Sequence, residues 1–156
     1  MNIRIIEFCE EYSKYFTELN IAWLQKYFEV EPVDYEMLSE PKKFILDKDG
    51  FIFFAKAGNE IAGTFALIKI DNGVYELCKM AVAEAFQGKK IGNKMLRFCI
   101  AEMEKLKAHK IILYSNTNLR PAIHLYKKYG FKEVPLEHTD YKRADIKMEI
   151  NLKNVS

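Results

Sequence analysis

A chain of 156 residues, 49% hydrophobic and 13% aromatic, can fill one core and is too short for two ordinary domains, so a single domain over 1–156 is expected. The net charge is +2 with no run of five or six like charges, which leaves nucleic-acid and membrane-surface roles without electrostatic support. No stretch approaches the ~20 apolar residues of a membrane span. The N-terminal MNIRIIEFCEEYSKYF alternates apolar and charged residues and lacks the apolar core of a signal peptide. Cys9, Cys78 and Cys99 form no CxxC pair and read as reduced thiols of a cytoplasmic protein. Charge is unevenly spread: residues 1 to 40 carry nine acids against three bases, and residues 79 to 110 carry eight bases against three acids.

In chain order, Ile3 to Phe8 alternates as a first strand, and a helical pattern starts at Glu11. Phe16, Leu19, Trp23, Leu24, Tyr27 and Phe28 form one stripe, expected to pack on a sheet. Pro32 and Asp34 begin a second helical segment that Pro41 interrupts, and Asp47 to Gly50 is a turn. Phe51 to Ala57 and Glu60 to Ile70 are strands joined at Gly58 and Asn59. Asp71, Asn72 and Gly73 then turn the chain into a third strand, giving an antiparallel meander. After the central unit described next come a short strand at Lys110 to Tyr114 and a helix at Arg120 to Tyr129 with Gly130 as its C′ stop. Two last strands follow at Phe131 to Val134 and Ala144 to Leu152, with residues 135 to 143 as the loop between them. Strands in the majority with helices on their faces make the class α/β or α+β.

The stretch from Tyr75 to Leu96 organises the rest. Tyr75 to Val82 suits a strand in the middle of a sheet, and Ile91, Met95, Cys99 and Met103 recur every four positions, so a helix begins near Ile91. Between them lie Gln87, Gly88, Lys89, Lys90, Ile91 and Gly92. A helix start presents unpaired N–H groups and the positive end of the macrodipole, and its glycines let a phosphate come close. Neither GxxxxGK[ST] nor GxGxxG is present. Cys78 shares a strand face with Glu76 but has no evident partner among His109, His124 and His138, so it reads as a small core thiol rather than a nucleophile.

Three separated motifs carry a resemblance to the GNAT N-acetyltransferase family over nearly the whole chain. FQGKKIG resembles the family's acetyl-CoA loop, Q/R-x-x-G-x-G/A, at Gln87 and Gly92 and departs from it at Lys90. NTNLRPAIHLYKKYGF, Asn116 to Phe131, is similar to the A-x-x-LY-x-x-x-GF segment, and YKRADIKMEI, Tyr141 to Ile150, to the closing strand of small bacterial members. The resemblance implies a central mixed sheet of about six or seven strands flanked by about four helices. It also implies acetyl-CoA as co-substrate, with no metal, held by backbone of Met80, Ala81 and Val82 and by the loop Gln87, Gly88, Lys89, Lys90, Ile91, Gly92 and Asn93. Asn116, ranked ahead of Asn118, is implied for pantetheine. Lys89, Lys94 or Lys128 is implied for the adenosine 3′-phosphate. Because lysine has a Cβ, one backbone contact to the pyrophosphate is at issue at Lys90.

By the same resemblance Glu76 is the carboxylate that takes a proton from the acceptor amine, and Tyr126 is the acid beside the coenzyme sulfur. Alternative roles for these two are a partner for Lys79 or Arg143 and a core aromatic. His124 reads as a surface residue. The implied activity is direct transfer of acetyl to a primary amine of a small molecule, or of a peptide or protein lysine or N-terminus. A non-catalytic acyl-CoA-binding module is the alternative, and a homodimer is left open. The acceptor side is expected from Trp23 to Leu38 and residues 135 to 143. There Glu29, Glu31, Asp34 and Glu36, beside Trp23, Tyr27, Phe28 and Tyr35, are expected to attract a cationic amine; the alternative is that these acids are solvated and only aid solubility.

Overall fold

Alternation along the strands decides where the apolar surface goes. The computed structural model describes residues 2–152, so Met1 and residues 153–156 of the expected 1–156 unit lie outside the described residues. Seven strands form one sheet in the order β1-β2-β3-β4-β5-β7-β6. They are β1 (Ile3–Glu7), β2 (Phe51–Ala57), β3 (Glu60–Asp71), β4 (Val74–Val82), β5 (Lys110–Ser115), β6 (Lys132–Val134) and β7 (Ile146–Asn151). On β2 and β3, Phe53, Ala55, Phe65 and Leu67 face one side, while Ile52, Phe54 and Ala66 face the other. A sheet apolar on both faces must be covered on both, and the helices do this.

The first face is covered by α4 (Ile91–Lys105), whose Ile91, Met95, Leu96, Cys99 and Met103 are all buried against Phe53, Phe65 and Leu67. The second is covered by α1 (Ser13–Tyr27), through Phe16 and Leu24. Of the expected stripe on α1, Leu19, Trp23 and Phe28 are half-buried and Tyr27 is 44% exposed, because the helix overhangs the sheet toward a pocket described below. Next come α2 (Pro32–Ser39) and α3 (Pro41–Phe44). Each opens with proline at its first position, where the missing N–H breaks no hydrogen bond. The α-helices therefore number five among the described residues, the extra one being the single turn α3.

The last helix, α5 (Arg120–Lys128), ends in a hydrogen-bonded stop. The Phe131 N–H donates to Tyr126 O at 3.0 Å and the Gly130 N–H to Lys127 O at 3.1 Å. Gly130 has a φ of 104°, a conformation that glycine adopts without strain. This Schellman arrangement sets Phe131 beside Tyr126, with ring centroids 5.8 Å apart and the rings tilted by 59°. The Y-x-x-x-GF spacing is thus the spacing of a helix terminus, and it fixes where the Tyr126 ring sits.

Polar contacts tie α2 to the sheet. Asp34, fully buried on α2, accepts from the Lys79 ammonium of β4 and from both arms of Arg143, at 2.7 and 2.8 Å. The Glu31 N–H adds a bond to the same carboxylate at 2.9 Å. Burial alone would raise the Asp34 carboxyl, but the bonds from Arg143 and the charge of Lys79 outweigh it and hold the pKa at about 2. The stability so gained is present above the ordinary carboxylate range and is lost only as pH falls through about 2. Removing one member of a buried ion pair leaves the other charge unmatched, at a cost of about 3–5 kcal/mol. Asp34→Ala should therefore lower the melting temperature at pH 7 by roughly 6 °C or more, whereas Glu36→Ala on the exposed side of the same helix should leave it nearly unchanged; thermal unfolding followed by circular dichroism measures both.

Candidate active site

Strand β4 departs from regular geometry twice, and the site lies where it does. Ala66 and Thr64 of β3 oppose Cys78 and Ala81, so two steps on β3 face three on β4. The extra residue is a β-bulge, and Lys79 within it has a φ of 55°. Strict alternation would turn Lys79 toward the side of Leu77, into the apolar core under α4. The bulge sends it to the other face, where it meets Asp34 and lies 4.9 Å from the centre of the Tyr141 ring. Arg143 covers the same ring at 4.8 Å.

The second departure is a splay. β4 and β5 are parallel and pair over only three positions, Val74–Lys110, Tyr75–Ile111 and Glu76–Ile112. Beyond Glu76 the strands diverge, and β5 continues on its other edge against β7. Backbone from Leu77 to Val82 therefore has no ladder partner on the β5 side, and a wedge opens there.

Two pockets fill the wedge. The inner one, about 170 Å³, has Glu76, Met80, Tyr114, Asn116, Tyr126 and Tyr141 in its wall, with Trp23, Leu24 and Phe28 of the α1 region opposite. The outer one, about 510 Å³, is formed by Gln87, Gly88, Lys90, Ile91, Gly92 and Asn93 with Val82, His124 and Lys128. Ala122 and Leu125 of α5 belong to both walls, so the pockets adjoin across one helix face.

The outer pocket meets the needs of a phosphate. Lys90, the N-cap of α4, takes a φ of 61° and supplies no side-chain cap, so the first amides of the helix point outward unclaimed by it. Lysine thus occupies the left-handed conformation that was at issue for a non-glycine residue here, and the loop keeps the path a glycine would have given. Gly88, at a φ of 78°, has nothing within 4 Å of where a Cβ would stand.

Glu76 and Tyr126 both face the inner pocket, which joins two residues fifty positions apart in sequence. Glu76 is 8% exposed and its Oε2 has no hydrogen-bond partner among the described residues. Burial raises its pKa to about 7, against the opposing pull of Lys79 and Tyr141. Burial likewise pushes the Tyr126 phenol up to about 12. The Cys78 thiol is raised well above its usual range by burial and then by Glu76, which makes a thiolate nucleophile unfavourable there.

The other expected positions divide. Met80 lies in the inner wall and Val82 in the outer, while Ala81 is buried opposite Thr64. Asn116 is in the inner wall, but its amide donates to Arg143 O at 2.7 Å and its oxygen accepts from the Asn118 N–H at 2.8 Å, so its side chain shapes the loop. Asn118 is exposed and in neither wall, as is Lys89. Of the three lysines expected near an adenosine phosphate, Lys128 is in the outer wall and Lys94 is not.

The expected acidic lining needs correction. Asp34 is spent on Lys79 and Arg143, and Glu31 accepts from the Lys142 N–H at 2.8 Å and from the Arg143 guanidinium at 3.1 Å. Glu29 and Glu36 are exposed and outside the inner wall. The reason is the bulge: it delivers a buried cation that must be matched, and α2 supplies the match. The pairing of Asp34 with Lys79 and Arg143 thus has no local signature, although Tyr141 and Arg143 belong to the YKRADIKMEI motif, since its contacts bridge 45 and 109 positions.

Comparison with known proteins bears on this geometry. The model of the acetyltransferase (GNAT) family matches residues 6–131. The uncharacterized N-acetyltransferase YvbK of Bacillus subtilis is 30% identical over 116 residues, 72% of this chain and 75% of that protein. An acetyltransferase of the GNAT family from Staphylococcus aureus shares the fold with a TM-score of 0.85 at 24% identity, covering 97% of this chain and 100% of that one. So does spermidine N-acetyltransferase from Vibrio cholerae, solved in complex with CoA and spermine, with a TM-score of 0.72 at 20% identity over 96% of this chain and 95% of that one.

A Cβ at Gly92 would meet only Leu125 Cδ2, at an ordinary 3.5 Å, so the free protein has room for one. A ligand drawn onto the amides beside it has less. Gly92→Val should keep the melting temperature of the free protein within a few degrees and weaken acetyl-CoA at least tenfold, read by calorimetric titration. An unchanged dissociation constant would remove the loop from the binding site.

Proposed function

The chain belongs to the GNAT acetyltransferase family, and from that premise we propose that it acts as one domain, in the cytoplasm, to transfer acetyl from acetyl-CoA directly to a primary amine. The observation that carries this is the juxtaposition, in one pocket beside a phosphate-ready helix start, of a buried carboxylate with an unpartnered oxygen and a half-buried phenol. The CoA bound by the Vibrio fold neighbour supports the coenzyme's class. No helix among the described residues is long and apolar enough to cross a membrane.

In this reading the outer pocket receives the pyrophosphate on the amides of Gln87 to Asn93, with Lys90 and Lys128 nearby. The unpaired edge of β4 at Met80 to Val82 carries the pantetheine arm inward, so the thioester reaches the inner pocket. Glu76 takes one proton from the arriving ammonium and passes it to water. The freed nitrogen forms a C–N bond to the thioester carbonyl carbon as the C–S bond breaks. The second nitrogen proton goes to the departing sulfur, which leaves as the coenzyme-A thiol. A phenol at about 12 is a weaker acid than an ordinary thiol near ~8.5. Tyr126 therefore steadies the sulfur chiefly as a hydrogen-bond donor, and it stays protonated throughout the neutral range.

Coenzyme-A release from acetyl-CoA with an amine panel tests the reaction. Because burial raises Glu76, the base is protonated and idle below about 7, so kcat/KM should fall as pH drops through that value. Glu76→Gln should remove this limb and cost ~10²-fold or more at pH 8. Tyr126→Phe should lower kcat while acetyl-CoA affinity holds, because the ring still packs on Phe131; wild-type kcat, with chemistry rate-limiting, would reduce Tyr126 to a packing residue.

A further inference from the structure

We infer that the acceptor is a small primary amine bearing a single positive charge on an apolar or aromatic body; the inference rests on the acetyl-transfer reading above. It follows from a charge account of the inner pocket. Three charged side chains are in its wall: Glu76, Lys79 and Arg143. The two cations are matched by two carboxylates, since Asp34 holds Lys79 and Arg143 together and Glu31 takes a third bond from the Arg143 guanidinium. One charge is left over, the carboxylate of Glu76, with an oxygen that no described group satisfies. One unmatched carboxylate calls for one ammonium.

What surrounds Glu76 limits the rest of the acceptor. Across the pocket stand Trp23 and Phe28, with ring centroids 5.8 Å apart, and Leu24. A second ammonium of a polyamine would lie against these apolar groups or against the two fixed cations. Burying it unmatched is costly. A carboxylate on the acceptor fares no better, because both arms of Arg143 already bond Asp34 and the anion would sit near Glu76. Size points the same way: the inner pocket is about 170 Å³, the end of the thioester takes part of it, and an apolar cavity of about 150 Å³ already accommodates a benzene ring, so no body larger than one ring fits. The body that fits is one ring or a short alkyl chain, held by its apolar faces with its charged end on Glu76.

The test compares initial rates of coenzyme-A release at saturating acetyl-CoA for phenethylamine and butylamine, spermidine, and phenylalanine. The two monoamines should exceed spermidine and phenylalanine in kcat/KM by at least tenfold. Trp23→Leu, with Phe28→Leu as a second variant, should raise the KM of phenethylamine severalfold and leave that of acetyl-CoA unchanged. A preference for spermidine or for phenylalanine overturns this inference and leaves acetyl transfer standing. Failure of every amine to release coenzyme A overturns the acetyl-transfer reading and this inference with it.

Discussion

The Asp34 carboxylate is the point on which the acceptor side depends. A lysine on a central strand is an expensive guest, because burying an unmatched ammonium costs more than most side-chain contacts return. Here the β-bulge turns Lys79 out of the apolar layer, and Asp34 meets it in a fully buried position. Arg143 joins the same carboxylate in a fork, and Tyr141 lies under both cations. One side chain thus fastens α2, the bulge of β4 and the segment leading into β7. The bulge and the segment leading into β7 wall the inner pocket, and α2 holds both through Asp34, so the pocket's shape is set by electrostatics as much as by packing.

The two irregularities of β4 divide the labour. The bulge arranges charge, and the splay makes room. Three rungs of parallel pairing with β5 suffice to hold the sheet together, after which the strands separate and an unpaired strand edge faces the wedge. Such an edge inside a protein is a ready partner for an extended chain carrying amide groups. The helix start at Lys90 lies at the mouth of the same wedge, so binding groups of two kinds follow one another along a single line.

Much of this is written locally in the chain. The seven strands, the four longer helices and the Gly130 stop all rest on short-range patterns, and each falls within a residue or two of its expected place. The glycine-bearing loop and the LYKKYGF segment carry their geometry in their spacing, because a helix start and a Schellman terminus are local structures. Lys90 stands where the loop pattern has glycine, and it adopts the left-handed conformation although its side chain disfavours it. The polar network is less legible still. Asp34 and Glu31 look like solvated helix acids in sequence, and only contacts more than forty positions away reveal them as buried or bonded. Net charge over a window counts them as available to a ligand, and tertiary pairing withdraws them.

The ends of the sheet have a bearing on how the protein behaves in company. β6 closes one edge and is only three residues long, with Lys132 and Glu133 exposed; β1 closes the other, with Arg4 exposed. A strand so short offers little template for another chain to pair with, and charge along an edge repels an incoming strand that would desolvate it. A fold that leaves an open strand edge in its interior thus keeps its outer edges poor in invitations, which guards a crowded solution of such chains against sheet-to-sheet aggregation.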